Sequence, residues 1–189
     1  MKVAVLSFQG SVEEHVEIAN KAIEKTGRGY AFPTIKKEEI REANALIIPG
    51  GESTTISKLM IKSGVAEEIK SFAKAGKPIM GTCAGCIILG KNDEVASLGL
   101  IDIWARRNAF GRQKDSFEAK LNIKGIGEFN CIFIRAPLIE KAGKDVEILA
   151  KFDDNIVMAR QKNILALSFH PELTDDTRIH EYFLKMANI

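Results

Sequence analysis

Residues 78–89 have the sequence PIMGTCAGCIIL, in which two apolar runs flank a short turn with a thiol at its centre. The pattern predicts a strand, a tight turn and a helix. Gly81 and Gly85 lie two positions before and after Cys83 and allow a sharp turn, as in the G-x-S-x-G elbow of hydrolases. We therefore expect Cys83 to be presented rather than buried, at a helix N-terminus that favours its thiolate. The alternative is a small hydrophobic residue at a buried strand end.

Apolar strand-like segments alternate with helical patterns on the N-terminal side of this turn. Strands are predicted at 2–8, 30–34 and 45–48, and helices begin near Ser11, Lys36, Thr54 and Val65. Ser11 and Glu14 have the spacing of a capping box for the first helix. Buried strands that alternate with helices predict an open, mostly parallel sheet with helices on both faces.

The C-terminal half has a different pattern, in which brief turns separate strand-like segments. These segments are 117–123, 129–134, 147–152, 156–160 and 164–169. Because short turns join antiparallel strands, we expect some antiparallel pairing here. Residues 174–186 are predicted to form a closing helix, with Asp175 and Asp176 in its first turn, where the helix dipole favours anions.

Length and composition indicate one α/β domain over residues 1–189. The chain has 46% hydrophobic and 28% charged residues, and its formal net charge of +2 gives no electrostatic reason to expect nucleic acid binding. Its apolar runs are shorter than the roughly 18 residues of a membrane span. Three cysteines, an odd number, do not make a disulfide framework, so a cytoplasmic location is expected.

Loops that follow the carboxyl ends of predicted strands carry the chemically useful side chains. They are Gln9-Gly10, Pro49-Gly50-Gly51-Glu52-Ser53, the turn at Cys83, and Ser168-Phe169-His170-Pro171-Glu172. Ligands bind at this edge of an open parallel sheet. Cys83, His170 and Glu172 have the residue types of a triad, namely a nucleophile, a proton carrier and a carboxylate that orients the imidazole.

The histidines and cysteines also allow other interpretations. A lone histidine is more often structural than functional, although Pro171 restricts the turn that carries His170. His15 and His180 lie inside helical patterns and are interpreted as structural or surface residues.

Cys83 and Cys86 have the spacing of a redox C-x-x-C pair, but Cys86 begins an apolar helical run and is assigned to helix packing. The sequence has no second cysteine or histidine pair with zinc-ligand spacing, so neither a metal nor a cofactor is predicted.

Five motifs add a family resemblance that extends from about residue 3 to residue 186. They are Pro49-Gly50-Gly51-Glu52-Ser53-Thr54-Thr55, Gly81-Thr82-Cys83-Ala84-Gly85, Arg107-Asn108-Ala109-Phe110-Gly111-Arg112-Gln113, Phe133-Ile134-Arg135-Ala136-Pro137 and Phe169-His170-Pro171-Glu172-Leu173. Together they resemble the PdxT family, the glutaminase subunits of pyridoxal 5'-phosphate synthase, within the triad class of glutamine amidotransferases. The elbow and the His-x-Glu turn mark the class, and the third and fourth motifs mark the vitamin B6 branch.

The resemblance implies a flavodoxin-like, class I glutamine amidotransferase fold in which Cys83 is the nucleophile and His170 and Glu172 complete the triad. It also implies that L-glutamine is bound by Gly50, Gly51, Glu52, Arg107, Ile134 and Arg135. The chemistry agrees, because a free amino acid requires a cation for its carboxylate and an acceptor for its ammonium group.

The family also implies a partner, a PdxS-type synthase subunit that uses the released ammonia to build pyridoxal 5'-phosphate. The expected complex is a large ring with one glutaminase for each synthase subunit, and Gln9 is the candidate residue for sensing the partner. Two alternatives are a glutaminase subunit of another amidotransferase, such as imidazole glycerol phosphate synthase, and a redox α/β module that uses the C-x-x-C pair.

Overall fold

A computed structural model describes residues 1–107 and 116–187. The helices are α1 (Val12–Thr26), α2 (Lys37–Glu42), α3 (Ser53–Ser63), α4 (Val65–Lys74), α5 (Ala84–Leu89) and α6 (Arg178–Lys185), with a 3-10 helix at Pro171–Leu173. The strands are β1 (Lys2–Leu6), β2 (Tyr30–Thr34), β3 (Ala45–Ile48), β4 (Ile79–Thr82), β5 (Ile103–Arg106), β6 (Ser116–Ile123), β7 (Gly127–Ile134), β8 (Leu138–Ala142), β9 (Glu147–Phe152), β10 (Asn155–Gln161) and β11 (Ile164–Leu167). In these ranges no helix has the length and hydropathy needed to cross a membrane.

The main sheet combines a parallel and an antiparallel half. Its strand order over the described ranges is β2-β1-β3-β4-β11-β10-β8-β5, and β9 pairs with β10 outside this path. The strands β2, β1, β3, β4 and β11 are parallel to one another, whereas β10 pairs with β11, β8 and β9, and β8 with β5, in antiparallel fashion. Strands β6 and β7 form a separate antiparallel hairpin. The predicted open α/β sheet with antiparallel C-terminal strands is confirmed.

Both faces of the sheet are covered, which explains the nearly continuous apolar strands. On β1, Ala4 and Leu6 belong to a core cluster that includes buried residues of α3, α4 and α5, and Val3 and Val5 belong to a second cluster that includes α1 and α6. All four side chains are at most 1% exposed. The two faces therefore hold β1 rigidly, and the loop after it is fixed at the carboxyl edge of the sheet.

The predicted closing helix begins later than expected. Residues 171–173 form a 3-10 helix, and α6 begins at Arg178 rather than at Thr174. The carboxylate of Asp176 accepts a hydrogen bond from the backbone N–H of Arg178 at 3.1 Å, so Asp176 lies before the helix and not in its first turn. The expected placement of these aspartates inside the helix is wrong because this side chain competes with helical hydrogen bonding.

Strands β5 and β8 were not predicted from the sequence. They pair with each other at the end of the main sheet, and in β8 Ile139 is the one buried residue, while Ile103 and Ala105 of β5 are buried. Both strands are short and β8 has few buried side chains, so their apolar pattern is weak.

Candidate active site

The Cys83 turn lies between the central strand β4 and helix α5, and Cys83 itself has an unusual backbone conformation. Its φ and ψ are 49° and −104°. Its backbone N–H donates to Leu167 O at 2.9 Å, which fixes the turn against β11. A non-glycine residue with such a conformation costs on the order of 1–3 kcal/mol and persists where the surrounding structure enforces it.

Cys83 is 8% exposed, so the expectation that it is presented rather than buried is wrong as stated. Instead the thiol lines the wall of a cavity, and Cys83 Sγ lies 3.8 Å from Ile134 O. A ligand therefore has to enter the cavity to reach the sulfur. Cys86 is fully buried in α5, in agreement with its predicted packing role.

The glycines of the turn serve close packing rather than a positive φ. A Cβ on Gly85 would lie 2.1 Å from Ile48 O, and a Cβ on Gly81 would lie 2.6 Å from Gly85 O. Neither glycine has a positive φ, which belongs to Cys83 instead. The predicted elbow is present, and its glycines avoid side-chain crowding and allow α5 to approach β3 and β4 closely.

The imidazole of His170 lies between the thiol and a carboxylate. His170 follows β11, and its backbone N–H donates to Ile132 O at 2.8 Å. Its Nδ1 lies 2.7 Å from Glu172 Oε1, and Cys83 is close enough to raise the pKa of its ring. Since the carboxylate accepts from Nδ1–H, the other ring nitrogen faces the sulfur. The structure thus brings together Cys83, His170 and Glu172, as predicted.

Electrostatics favour charge on both members of the His170–Glu172 pair. Burial alone lowers the pKa of His170, but hydrogen bonds to Cys83 and Glu172 and the charges of both outweigh burial and raise it. Burial alone raises the pKa of Glu172, whereas nearby histidines and the hydroxyl of Ser11 lower it overall. Burial lowers the pKa of His15, so this imidazole is neutral near pH 7.

A cavity of about 360 Å³ opens in front of the thiol. Besides Cys83 and His170, it is lined by Gln9, Gly51, Glu52, Ser53, Ala84, Ile87, Arg107, Ile134 and Arg135. Six of these residues were predicted from the sequence, and Ser53, Ala84 and Ile87 were not. The cavity is large enough for a small amino acid and combines charged groups at its rim with the thiol on its wall.

Gly50 is a predicted substrate-binding residue that has a different position. It lies against the imidazole, where an added Cβ would be 2.5 Å from His170 Cε1 and 3.2 Å from Cys83 Cβ. Its lack of a side chain therefore gives the histidine and the thiol room to meet.

The rim of the cavity carries an acid and a base that bind each other. Arg107 donates from Nη2 to Glu52 Oε1 at 2.9 Å, and the same carboxylate accepts from Thr54 N at 3.2 Å. Hydrogen bonds from Thr54 lower the pKa of Glu52 against the opposing effect of burial, and the charge of Arg107 adds a smaller lowering effect. Glu52 therefore offers an acceptor for the ammonium group of an amino acid, and Arg107 offers a cation for its carboxylate. Of the motif 107–113, residues 108–113 lie outside the described ranges.

Arg135 has a φ of 43° and follows directly on Ile134, whose carbonyl faces the thiol. The backbone directly after β7 therefore has a left-handed conformation beside the cavity. The surrounding structure has to offset the free-energy cost of this conformation.

Four polar residues behind the triad were missed by the sequence analysis: Ser11, His15, Thr82 and His180. The predicted capping box does not form, since within the described ranges Ser11 makes no side-chain hydrogen bond to its own helix and donates instead to Glu172 Oε1 at 2.6 Å. The spacing of Ser11 and His15, four residues apart after the Gln9-Gly10 loop, was the available signal.

The described residues give no support to metal or disulfide chemistry. Within 1–107 and 116–187, no three His, Cys, Asp or Glu side chains are grouped as a metal site. Cys83 and Cys86 are both free thiols, and burial raises the pKa of Cys86 far above its ordinary value.

Solved structures match the fold of this chain. A crystal structure described as a glutamine amidotransferase is 44% identical, has a TM-score of 0.91 and is covered over 99% of both chains. The glutaminase domain of Trypanosoma brucei CTPS with bound acivicin has a TM-score of 0.67 at 12% identity, over 100% of this chain and 94% of that one, and so shares the fold. The protein therefore belongs to the class I glutamine amidotransferases.

Sequence relatives and a family model identify the branch. The pyridoxal 5'-phosphate synthase subunit PdxT of Archaeoglobus fulgidus is 54% identical over 99% of this chain and 98% of its own length, and that of Brevibacillus brevis is 50% identical over 99% and 97%. The model of the SNO glutamine amidotransferase family matches residues 5–188. The chain belongs to the SNO glutamine amidotransferase family, and the predicted resemblance to PdxT is confirmed.

Proposed function

We propose that this chain hydrolyses L-glutamine to L-glutamate and ammonia with Cys83, His170 and Glu172, and that it supplies the ammonia to pyridoxal 5'-phosphate synthesis. The observation that carries the proposal is the chain of contacts from Cys83 through His170 to Glu172 at the wall of a cavity with Glu52 and Arg107 at its rim.

The thiolate of Cys83 attacks the side-chain amide carbon of glutamine and forms a tetrahedral intermediate. Backbone N–H groups at Gly51 and Ala84 are the donors proposed for its oxyanion. His170 gives its proton to the departing ammonia, and Glu172 keeps the imidazole oriented and stabilises its charged form. Water, deprotonated by His170, then attacks the thioester and releases glutamate. The proton that His170 takes from this water restores the starting state of the site.

The ammonium group and the carboxylate of glutamine are assigned to charged residues that line the cavity. Glu52 accepts from the ammonium group and the guanidinium of Arg107 or Arg135 binds the carboxylate, in place of the present contact between Glu52 and Arg107. Ile134 and the backbone of Gly50 and Gly51 complete the binding site. This exchange replaces one internal charge-assisted hydrogen bond with one at each end of the zwitterionic ligand.

The partner proposed is a PdxS-type synthase subunit, and the assembly is a ring with one glutaminase for each synthase subunit. PdxT relatives are named as synthase subunits, which supports a heteromeric complex. The family match over residues 5–188 supports a single glutaminase domain over 1–189. Its free thiols are consistent with the reducing cytoplasm, where we place the reaction.

Gln9 is the proposed sensor of docking. Gln9 Oε1 accepts a hydrogen bond from the backbone N–H of Glu52 at 2.7 Å, and a Cβ on Gly51 would lie 2.8 Å from the same oxygen. The side chain therefore holds the loop that contains the proposed oxyanion donor. A partner that moves Gln9 would reorient Gly51, and one oxyanion donor is worth roughly 100- to 1,000-fold in rate.

The test is glutamate release by the purified chain alone, with a PdxS-type subunit and with the synthase subunit of imidazole glycerol phosphate synthase. We expect slow hydrolysis alone and stimulation by the PdxS-type subunit, with little stimulation of Gln9→Ala. Stimulation by the imidazole glycerol phosphate synthase subunit instead would assign the chain to a sister system. Full activity of the isolated chain would overturn the proposed gating.

A further inference from the structure

A row of buried polar side chains extends behind Glu172, away from the cavity. His15, Thr82 and His180 are all 0% exposed, so their placement as surface residues is excluded. His15 Nε2 lies 2.9 Å from Thr82 Oγ1 and 3.2 Å from Glu172 Oε2, and His15 Nδ1 lies 3.2 Å from His180 Nε2. Polar groups so deeply buried are costly unless they are paired, so this row has to be organised.

Helix α1 and Ser11, its N-cap residue, face both oxygens of the carboxylate. Ser11 donates to Glu172 Oε1, which also accepts from His170, and His15 faces Oε2 from one turn further along the same helix. Residues four apart lie on one face of a helix, so a single rigid element contacts both ends of the carboxylate. Among the described residues, Oε2 forms no hydrogen bond of good geometry, and His15 Nε2 is its polar neighbour.

The contacts select one tautomer of His15. With its proton on Nε2, His15 presents an N–H to Thr82 and to the carboxylate, and its Nδ1 accepts from His180 Nε2–H. The unpartnered Nδ1 of His180 is then a lone pair. With its proton on Nδ1, His15 would turn a lone pair toward an ionised carboxylate and would leave a buried N–H of His180 unpaired. The first arrangement is favoured, because buried N–H groups without partners are the rarer and costlier case.

We propose that His15 is a positioning residue for the hydrolysis of glutamine: as a neutral imidazole with its proton on Nε2, held by His180, it fixes the Glu172 carboxylate in the plane that Nδ1–H of His170 requires. Glu172 in turn fixes His170 for proton transfer at Cys83. The inference rests on the proposed glutaminase function. Without His15, the carboxylate would be anchored through Oε1 and free to rotate about its terminal bond, where the torsional preference is weak.

Kinetics of three variants in the complex with the PdxS-type subunit test this role. His15→Phe keeps a ring and removes the N–H, and His15→Gln restores an N–H near the position of Nε2. We expect His15→Phe to lower kcat roughly 10- to 100-fold with KM within about twofold, as when a buried charged acceptor loses its polar neighbour. His15→Gln should recover most of that loss. The control, Ile23→Val, perturbs the buried face of the same helix and should leave kcat unchanged.

A merely structural role gives a different result. If His15 only supported the fold, both His15 variants would lose active protein to the same extent. His15→Gln would then show no recovery of activity over His15→Phe. Unchanged kcat in His15→Phe, or equal defects in His15→Phe and His15→Gln, overturns the proposal.

A second measurement uses the wild-type chain and does not depend on its activity. Nitrogen-15 NMR of labelled histidines should show His15 neutral near pH 7 and protonated at Nε2, with resonances assigned by their loss in His15→Gln. In Glu172→Gln the His15 resonances should shift. Protonation at Nδ1 or a charged His15 overturns the inference even if glutamine is hydrolysed, and a failed glutaminase assay leaves this readout intact.

Discussion

The backbone of Gly50 lies against the imidazole of His170, so closely that a Cβ on this glycine would be 2.5 Å from His170 Cε1. Gly50→Ala should therefore displace the imidazole from Cys83 and lower glutamate release by at least about 100-fold, as expected when a reacting group is misplaced by about 1 Å. Gly27→Ala is the matched control, since a Cβ there meets nothing within 4 Å. Steady-state kinetics of both variants with the synthase subunit provide the check, and a fully active Gly50→Ala would show that this close approach does not set the position of the imidazole.

Cys83 and Cys86 should differ completely in function. Cys83→Ala should abolish glutamate release, because alanine cannot form a thioester. Cys86→Ala should keep the activity and lose about 1 kcal/mol of unfolding free energy through a small buried cavity. The measurements are glutamate release and urea unfolding. An electrophilic glutamine analogue should add its mass to Cys83 alone, and peptide mapping of the label to Cys86 or Cys131 would reject the assignment.

The proton carrier should matter more than the carboxylate that orients it. We expect His170→Asn to be as damaging as loss of the thiol, and Glu172→Gln to leave more residual activity, because orientation is easier to replace than proton transfer. The kcat values of the two variants measure this order. Wild-type activity of Glu172→Gln would remove Glu172 from the triad.

Acid should destabilise the fold through the buried histidines. Burial, and then the charge of His15, lower the pKa of His180 to about 3, against a smaller opposing effect of Glu172. The unfolded chain binds a proton at this residue below about pH 6.5, while the folded chain does not. Unfolding free energy should therefore fall as the pH decreases from about 6.5 toward 3, by up to about 1.4 kcal/mol per pH unit for this group.

Urea unfolding at about pH 6.5 and about pH 5 checks this contribution in the wild type and in His180→Phe, because this interval lies within the range where only the unfolded chain binds the proton. The variant should lose some stability at the higher pH but should show a shallower decrease toward the lower one. Cys131→Ala is the control, since burial raises the pKa of that thiol to about 12 and it does not titrate in this range. An equal slope in the wild type and His180→Phe would mean that His180 is protonated in the folded chain.

Local sequence patterns were sufficient to predict features that lie within one short segment of the chain. The turn at Cys83 is bracketed by its own strand and helix, and His170 and Glu172 are two residues apart, so their roles could be predicted without knowing the fold. Arg107 and Glu52 were predicted from the family resemblance, and their contact at 2.9 Å required the folded chain. The start of the closing helix was misplaced because the carboxylate of Asp176 competes with helical hydrogen bonding at that point.

The sequence by itself determined the alternation of strands and helices, the elbow and the chemical types of the triad, because apolar periodicity and short motifs are local properties of the chain. Tertiary structure alone decided what supports the triad. Ser11 and Glu172 are 161 residues apart and His15 and His180 are 165 apart, yet each pair is in contact. The physical reason is that a buried carboxylate or imidazole takes whichever donors the packing of α1, β4 and α6 brings within reach, and no local pattern encodes that meeting.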